Sequence, residues 1–180
     1  MQKVSVTIIT KNEEKNIQRC LESVRWADEI VVVDSFSTDR TVEICRKFTD
    51  KVFQENWLGY GLQKNLCASK ASNRWVLNVD ADEVIPPECA EAIKNLLLGE
   101  PKFLLYQFQR KNFFSGRWVR YAGWYPDFIS RLYDRNKVLF SDSMVHERLI
   151  PDNNPGIINH SILHYSFDSI DDYIERQNRY

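Results

Sequence analysis

Two aspartates separated by one residue, Asp80 and Asp82, are the side chains whose types and spacing point most directly to chemistry. They follow Trp75–Val79, an apolar run typical of a buried strand. Carboxylates at i and i+2 can converge on one cation where a strand bends into a turn. Mg²⁺ and Mn²⁺ often share such ligands with phosphate oxygens, and a metal on a diphosphate neutralises its charge as it leaves. The pair therefore predicts a metal and diphosphate site.

The same aspartates are open to two other interpretations. They could be loop residues that cap the following helix. Alternatively, the first aspartate could be a nucleophile, because a strand followed by DxDxV also opens the haloacid dehalogenase phosphohydrolases. That motif normally lies on the first strand of those enzymes, whereas here three strand-and-helix units precede it.

The elements that must position the pair alternate between strand and helix over the first hundred residues. Predicted strands are Val4–Thr10, Ile30–Asp34, Lys51–Gln54 and Trp75–Asp80. Predicted helices are Ile17–Val24, Thr41–Phe48, Leu62–Ala71 and Pro86–Leu98. This order predicts an α/β fold with a mostly parallel central sheet flanked by helices. We expect one domain over residues 1–180, with a ligand-binding half at 1–100 and a second half at 101–180. Truncation of the second half at its end is one interpretation of the sequence.

Polar side chains gather where the predicted strands end. Thr10, Asn12 and Glu13 follow the first strand, and the second strand ends at Asp34. Parallel sheets bind ligands beyond the carboxyl ends of their strands. These residues and the aspartate pair are therefore expected along one edge of the sheet.

The second half has a different pattern. Leu104–Arg110, Phe128–Tyr133 and Met144–Leu149 are predicted strands without intervening helices, which indicates a small mixed sheet. Ser169–Tyr180 has a helical pattern. Aromatic and basic residues alternate between the strands, and they suggest either a platform for sugar rings or contact with an anionic membrane surface.

Charge, hydropathy and cysteine spacing argue against several classes of function. The formal net charge is -1, which disfavours a nucleic-acid partner. No apolar run reaches the length of a membrane span, and no secretory signal opens the chain, so a cytoplasmic location is expected. The cysteines, which form no CxxC pair and are expected to be reduced packing residues rather than zinc ligands, are Cys20, Cys45, Cys67 and Cys89.

Three ordered motifs together carry a family resemblance. They are Val6–Glu13, Ile30–Asp39 and Asn78–Glu83, each at a strand end. They resemble the family 2 glycosyltransferases of GT-A fold. The segment from Arg25 to Glu29 and the motif Val145-His146-Glu147 are similar to the lipopolysaccharide-core β-glucosyltransferases.

The resemblance implies roles on the donor side. Thr10, Asn12 and Glu13 border the nucleotide, and Asp34 accepts a hydrogen bond from the uracil N3–H. The resemblance further implies that Asp80 contacts the ribose or metal, that Asp82 binds the metal, and that Lys64 faces the diphosphate. Many members have two adjacent acids after the second strand, where this chain has Asp34 followed by serine.

The resemblance also implies an inverting transfer, which requires a base for the acceptor hydroxyl. Glu147 fits best, and Asp127 is the alternate; Glu147 could instead form an ion pair with a basic residue. A late histidine completes the metal site in many GT-A enzymes, and His164 matches that position. The implied cofactor is Mg²⁺ or Mn²⁺, the implied donor is UDP-glucose, and the implied acceptor is a saccharide or lipid-linked saccharide at the inner face of the membrane.

Two further function classes stay open. A nucleotidyltransferase would place a glycine-rich loop after the first strand, yet Thr10–Glu14 holds no glycine. A nucleotide-sugar-binding module without activity is the third hypothesis. The oligomeric state is not predicted.

Overall fold

The structure is a computed structural model, and it describes residues 2–121, 123–142, 147–151 and 154–167. Its helices are α1 (Ile17–Ser23), α2 (Thr41–Cys45), α3 (Tyr60–Ser69) and α4 (Pro87–Leu97). Its strands are β1 (Val4–Thr10), β2 (Glu29–Asp34), β3 (Val52–Gln54), β4 (Trp75–Asn78), β5 (Glu83–Val84), β6 (Leu105–Phe114), β7 (Arg117–Trp118), β8 (Asp127–Asp134), β9 (Leu139–Phe140), β10 (Leu149–Ile150) and β11 (Gly156–Phe167).

One large sheet has the strand order β3-β2-β1-β4-β8-β6-β11-β5, with β7 paired to β6. The first-half strands β3, β2, β1 and β4 are parallel to one another. β8 runs antiparallel to β4 and to β6, so the second-half strands extend the central sheet. A separate antiparallel pair joins β9 to β10. The predicted α/β fold with a mixed second half is confirmed, although most of that half joins the main sheet.

Apolar side chains cover both faces of the parallel part. On one face Leu21 of α1, Ile44 of α2 and Ile93 of α4 pack against the sheet. On the other face Cys67 of α3 packs against Val31 and neighbouring strand residues. All seven residues of β1 are buried, as expected for a strand covered on both sides. This packing holds rigid the strand ends that carry the candidate site.

The cysteines behave as packing residues. All four are buried and unpaired, as predicted. Burial raises the pKa of Cys67 to about 12, because a thiolate would lose its hydration in that interior.

Several element boundaries differ from the sequence predictions. α2 ends at Cys45 instead of Phe48, and β6 continues past Arg110 to Phe114. In the predicted strand Met144–Leu149, residues 144–146 lie outside the described residues and only Leu149 is in a strand. The predicted helix at 169–180 lies wholly outside them. β11 was not predicted as a strand; its pairing with β6 shifts register between Ile158 and Ser161, which interrupts the alternation that would reveal it.

None of the helices in the described ranges is both long and apolar enough to cross a membrane.

Candidate active site

The loops after β1 and β2 are tied to each other at the carboxyl edge of the sheet. The Asn12 Oδ1 accepts the backbone N–H of Thr38 at 2.8 Å, and the Asn12 N–H donates to Ser37 Oγ at 2.8 Å. The Glu13 N–H donates to Thr41 Oγ1 at 2.8 Å. Asn12 and Phe36 both have positive φ, at 54° and 56°. The two loops therefore form one polar rim, residues 10–13 and 34–41, which includes all four residues predicted to border the nucleotide: Thr10, Asn12, Glu13 and Asp34.

Thr10 and Asp34 are direct neighbours on this rim, because β1 and β2 place them side by side in register. The carboxylate of Asp34 is buried and accepts the Ser37 N–H at 2.8 Å, the Ser37 hydroxyl and the Gln54 amide at 3.3 Å. The Thr10 Oγ1 is buried without a hydrogen-bond partner among the described residues. An orphaned hydroxyl beside a carboxylate suits a polar ligand that supplies the missing partner.

Asp80 stands between two cations. Its Oδ1 is 3.2 Å from the Nζ of Lys64, and its Oδ2 accepts a hydrogen bond from the Nη2 of Arg131. Burial opposes ionisation of Asp80, but the charges of Arg131, Lys64 and His164 outweigh it and hold the pKa of this carboxyl well below its usual range. Asp80 is therefore a fixed anion inside a positive cradle.

Arg131 is the main functional residue that the sequence did not reveal. It lies on β8 with 5% of its surface exposed, and its Nη1 reaches Asn78 at 3.3 Å. Its Nη2 also donates to Oε1 of Glu83 at 2.6 Å. Glu83 is fully buried and accepts the Asp80 N–H at 3.1 Å, so it stabilises the loop that carries Asp80 and Asp82. In the sequence, the one sign of its role is a single arginine within a mostly apolar predicted strand. In the structure this arginine is the ion-pair partner of two acids.

Glu147 also contacts Lys64, so this lysine lies within ion-pair distance of two acids. The Lys64 Nζ lies 2.7 Å from the Glu147 Oε1, and the lysine side chain is only 4% exposed. The ion pair envisaged for Glu147 is therefore present, and Lys64 is its basic partner. Residues 145 and 146 of the Val-His-Glu motif lie outside the described residues.

The β9–β10 hairpin brings Glu147 to α3. The side chain of Asn65 exchanges two hydrogen bonds with the backbone of Phe140, at 2.8 and 2.9 Å. A Cβ at Gly61 would lie 2.0 Å from the carbonyl oxygen of Ser141 and 3.4 Å from the Glu147 Cβ. Only glycine permits this approach, so the hairpin seats directly on the helix that carries Lys64.

Asp82 and His164 face each other across the end of the sheet. The Nε2 of His164 is 3.4 Å from Oδ2 of Asp82. Burial alone would lower the pKa of His164, but the hydrogen bond and charge of Asp82, with the charge of Glu83, raise it above its ordinary value. The Asp82 backbone oxygen also accepts the Tyr165 N–H at 3.0 Å, which fixes the loop against β11.

The orientation of His164 suits a divalent cation beside Asp82. The Asn112 amide donates to Asp127 Oδ2 at 3.1 Å, so its oxygen must be the acceptor that lies 2.7 Å from His164 Nδ1. Nδ1 then carries a proton. In a neutral ring Nε2 has no proton, so it and the Asp82 carboxylate would be two acceptors facing each other without a donor between them. A proton or a cation relieves that opposition, and an oriented imidazole with a carboxylate is a suitable donor set for a metal. Within the described ranges, no three acidic, histidine or cysteine side chains are grouped as a metal site.

Asp127, the alternate base, lies apart from Lys64 and Glu147. Its Oδ2 accepts the Arg110 Nε–H at 2.8 Å as well as the Asn112 amide. The Arg110 Nη1 is 3.8 Å from Glu83, so Arg110 links Asp127 to the loop that Glu83 stabilises.

Two cavities open at this edge, and Arg110 lines both. One, of about 350 Å³, is bordered by Lys64, Asp80, Arg131 and Glu147. The other, of about 400 Å³, is bordered by Asn112, Trp124, Asp127 and His164. Predicted site residues thus fall in three adjoining groups: the rim after β1 and β2, the Lys64 cluster, and the group around His164.

Comparisons with known proteins identify the family of the chain. The sequence model of glycosyl transferase family 2 matches residues 5–151. The uncharacterized glycosyltransferase RT0209 of Rickettsia typhi is 33% identical over 192 residues, covering 100% of this chain and 66% of the relative. The lipopolysaccharide core biosynthesis glycosyltransferase LpsC of Rhizobium meliloti is 31% identical over 189 residues, covering 98% of this chain and 68% of the relative. This chain thus spans about two thirds of the length of these relatives.

A solved structure shares the fold. TarS of S. aureus, residues 1–349, superposes with a TM-score of 0.66 at 22% identity, covering 96% of this chain and 62% of that chain. TarS has also been solved in complex with UDP-GlcNAc, with the same TM-score and 91% of this chain covered. The mixed sheet, its polar carboxyl edge and the match over residues 5–151 lead to one assignment: the chain belongs to glycosyl transferase family 2 and has a GT-A type fold.

Proposed function

We propose that this chain catalyses inverting transfer of glucose from UDP-glucose to a saccharide or lipid-linked saccharide acceptor in the assembly of lipopolysaccharide core or a related envelope polysaccharide. The observation that carries the proposal is the position of Lys64, whose Nζ lies 3.2 Å from Asp80 and 2.7 Å from Glu147 beside a cavity of about 350 Å³. One buried cation thus joins the carboxylate of the donor side to the candidate base.

The donor half of the proposal assigns the nucleotide to the rim after β1 and β2. The Asp34 carboxylate would accept the uracil N3–H, and the orphaned Thr10 hydroxyl would gain a partner. Asn12 and Glu13 would border the same nucleotide. Lys64 and Arg131 would face the diphosphate, because both are positive groups on the cavity wall. The TarS complex with UDP-GlcNAc, on the same fold, supports a uridine nucleotide.

The proposal includes Mg²⁺ or Mn²⁺ held by Asp82 and His164, next to Asp80. When bound, such an ion supplies Lewis-acid neutralisation of the diphosphate charge. The fit rests on the oriented imidazole opposite Asp82.

Glu147 is proposed as the base that removes the proton of the acceptor hydroxyl. It lies between β9 and β10, the hairpin seated on α3, and its Oε1 is 2.7 Å from the Nζ of Lys64. Asp127 is the weaker candidate, because Arg110 and Asn112 already occupy its Oδ2. The name of the Rhizobium relative supports an acceptor in lipopolysaccharide core biosynthesis.

Calorimetry tests the donor side. We expect UDP to bind more tightly with Mn²⁺ than without, and Asp82→Asn to remove that difference. Asp50→Asn, on the exposed turn before β3, is a control of the same chemistry away from the site. Equal UDP affinity with and without Mn²⁺, together with an unaltered Asp82→Asn variant, would contradict the proposal.

Hydrolysis of a panel of UDP-sugars ranks the donors, and UDP-glucose is expected to be cleaved fastest. A clear preference for another sugar would overturn the choice of glucose while leaving the transferase assignment in place.

Location at the cytoplasmic face of the membrane is the last part of the proposal. Lys111 and Arg120 lie 4.8 and 4.2 Å from the ring of Trp118, and Tyr121 beside them is 82% exposed. Such a basic and aromatic surface suits anionic lipid headgroups. Vesicles that contain phosphatidylglycerol should retain the protein at low salt, and failure to do so at every ionic strength would contradict the membrane contact.

A further inference from the structure

The cavity of about 400 Å³ beside His164 is lined, apart from His164 itself, by residues that the proposed donor site leaves unused. We propose that it is a recognition subsite for one neutral sugar ring of the acceptor, with Asp127 as a hydroxyl-binding residue and Trp124 as the stacking surface. This inference rests on the proposed function, because it presumes a saccharide acceptor.

The hydrogen bonds around Asp127 leave half of its carboxylate for a ligand. Arg110 and Asn112 both donate to Oδ2. Oδ1 receives no hydrogen bond from the described part of the chain, and the side chain is 26% exposed at the cavity wall. Because the two hydrogen bonds to Oδ2 hold the carboxylate in place, Oδ1 is a strong acceptor for a hydroxyl group.

Arg110 supplies donors next to that acceptor. Its Nε donates to Asp127, and its Nη1 is 3.8 Å from the buried Glu83. The guanidinium still has N–H groups beyond these two contacts, since it carries five donors in a planar fork. A fixed acceptor beside a fixed donor matches adjacent hydroxyls of a sugar ring, which both donate and accept.

Charge balance in the cavity favours a neutral ligand. The positive charge of Arg110 is offset by Asp127 and Glu83, and the opposite wall carries His164 with Asp82 behind it. In the metal-free protein a phosphate would therefore find no uncompensated cation among these side chains.

Trp124 adds the apolar surface. Trp124 lines the cavity, and its backbone oxygen accepts the Asn112 amide at 3.3 Å. Asn112 is 6% exposed and bonds to His164 and Asp127 as well, so one buried amide fixes all three walls. A volume of about 400 Å³ is in the range of small-ligand sites and holds a single sugar ring.

Fluorine NMR on the protein labelled with 5-fluorotryptophan tests this subsite directly. The probes are methyl glycosides of glucose, galactose and mannose at millimolar concentration, and the Trp124 resonance is identified by its loss in Trp124→Phe. We expect at least one glycoside to shift that resonance and inorganic phosphate to leave it in place. Asp127→Ala should weaken the glycoside affinity about tenfold, the effect of losing one charged hydrogen bond.

Controls and outcomes separate this inference from the proposed function. Leu98→Ala, at an exposed residue outside the cavity, should bind glycosides as the unmodified protein does. Trp124→Phe keeps a ring and should retain part of the affinity seen by ligand-observed NMR. A Trp124 resonance unmoved by every glycoside, or glycoside affinity unaltered by Asp127→Ala, overturns the subsite. Absence of UDP-sugar hydrolysis in the unmodified protein would instead contradict the transferase proposal.

Discussion

The two ends of the parallel strands both carry a buried carboxylate network, and they are built differently. At the amino end, Glu29 alone receives hydrogen bonds from Ser5, Lys51 and both the N–H and hydroxyl of Ser72. At the carboxyl end, the cations Lys64 and Arg131 are shared among three acids around a cavity.

The difference indicates what each network does. The donors around Glu29 converge on its one carboxylate, and Lys51 also donates to Ser72. The network therefore ties β1, β2 and the starts of β3 and β4 together. At the carboxyl end, each cation divides its contacts between acids, and a charged ligand can take the place of one of them. The first arrangement suits a role in folding, and the second is the one to which we assign binding in the proposed function.

The largest expected effect is on catalysis at the carboxyl end. Glu147→Gln should lower the turnover of sugar transfer by about 10²–10⁴-fold, since a positioned base contributes that much. The measurement is the initial rate at saturating donor. Glu100→Gln, at an 82% exposed side chain, is the control. Full turnover in the Glu147→Gln variant would show that another residue is the base.

Arg131 tests whether the carboxyl-end network also stabilises the fold. Arg131→Leu leaves the fully buried Glu83 and the anionic Asp80 without their shared cation, and the free energy of unfolding should fall by about 3–5 kcal/mol. Urea denaturation at neutral pH measures it. Arg131→Lys keeps the charge and should recover part of the loss. Equal stability of the leucine variant would show that the network is dispensable for folding.

Glu29 tests the amino end. Burial opposes its ionisation, but the hydrogen bonds from Lys51, Ser5 and Ser72 lower the pKa of its carboxyl from 4.5 to about 2. Because the folded pKa is depressed, the stabilisation is complete above about pH 4.5 and is lost as the pH falls towards 2. A shift of this size corresponds to about 3 kcal/mol in the free energy of unfolding.

The Glu29→Gln variant should therefore unfold more easily at neutral pH and lose less stability than the unmodified protein between pH 4.5 and pH 2. Donor hydrolysis at neutral pH and low temperature should match that of the unmodified protein, because Glu29 lies at the amino-terminal end of β2, away from the candidate site. Parallel stability curves for the two proteins across that acid range would contradict the assignment.

The smallest expected effect concerns the contact between the hairpin and α3. Gly61→Ala gains about 1 kcal/mol of helix propensity. Its methyl group, however, would lie 2.0 Å from the Ser141 oxygen, and overpacking of this kind costs about 1–3 kcal/mol. The net loss of stability should be about 0–2 kcal/mol, smaller than that of Arg131→Leu. Glu147 should shift from Lys64, and sugar transfer should slow more than UDP binding weakens. Gly99→Ala, where nothing lies within 4 Å, is the matched control, and equal transfer rates in both variants would contradict the role of Gly61.

The sequence predicts a strand and its site residues well where a local run of apolar residues matches burial on both faces of the sheet. β1, β2 and β4 are covered on both faces, so their apolar runs predict them directly, and the acids at their ends follow by topology. Arg131 and Glu83 escape this reasoning because their pairing joins positions 48 residues apart and leaves no local signature. The seating of the hairpin at Gly61 is equally non-local, since a helix glycine alone does not say what approaches it.

The short strand β5, directly after Asp82, has consequences for synthesis of the protein. Its residues Glu83 and Val84 pair with His164 and Leu163, near the end of the described chain. The loop that carries the aspartate pair therefore leaves the ribosome long before the strand that closes it. Contacts of such high sequence separation form slowly, and the amino-terminal half of a chain emerges first. Competence to bind the donor should accordingly appear only after β11 has been translated, however early the first four strands associate.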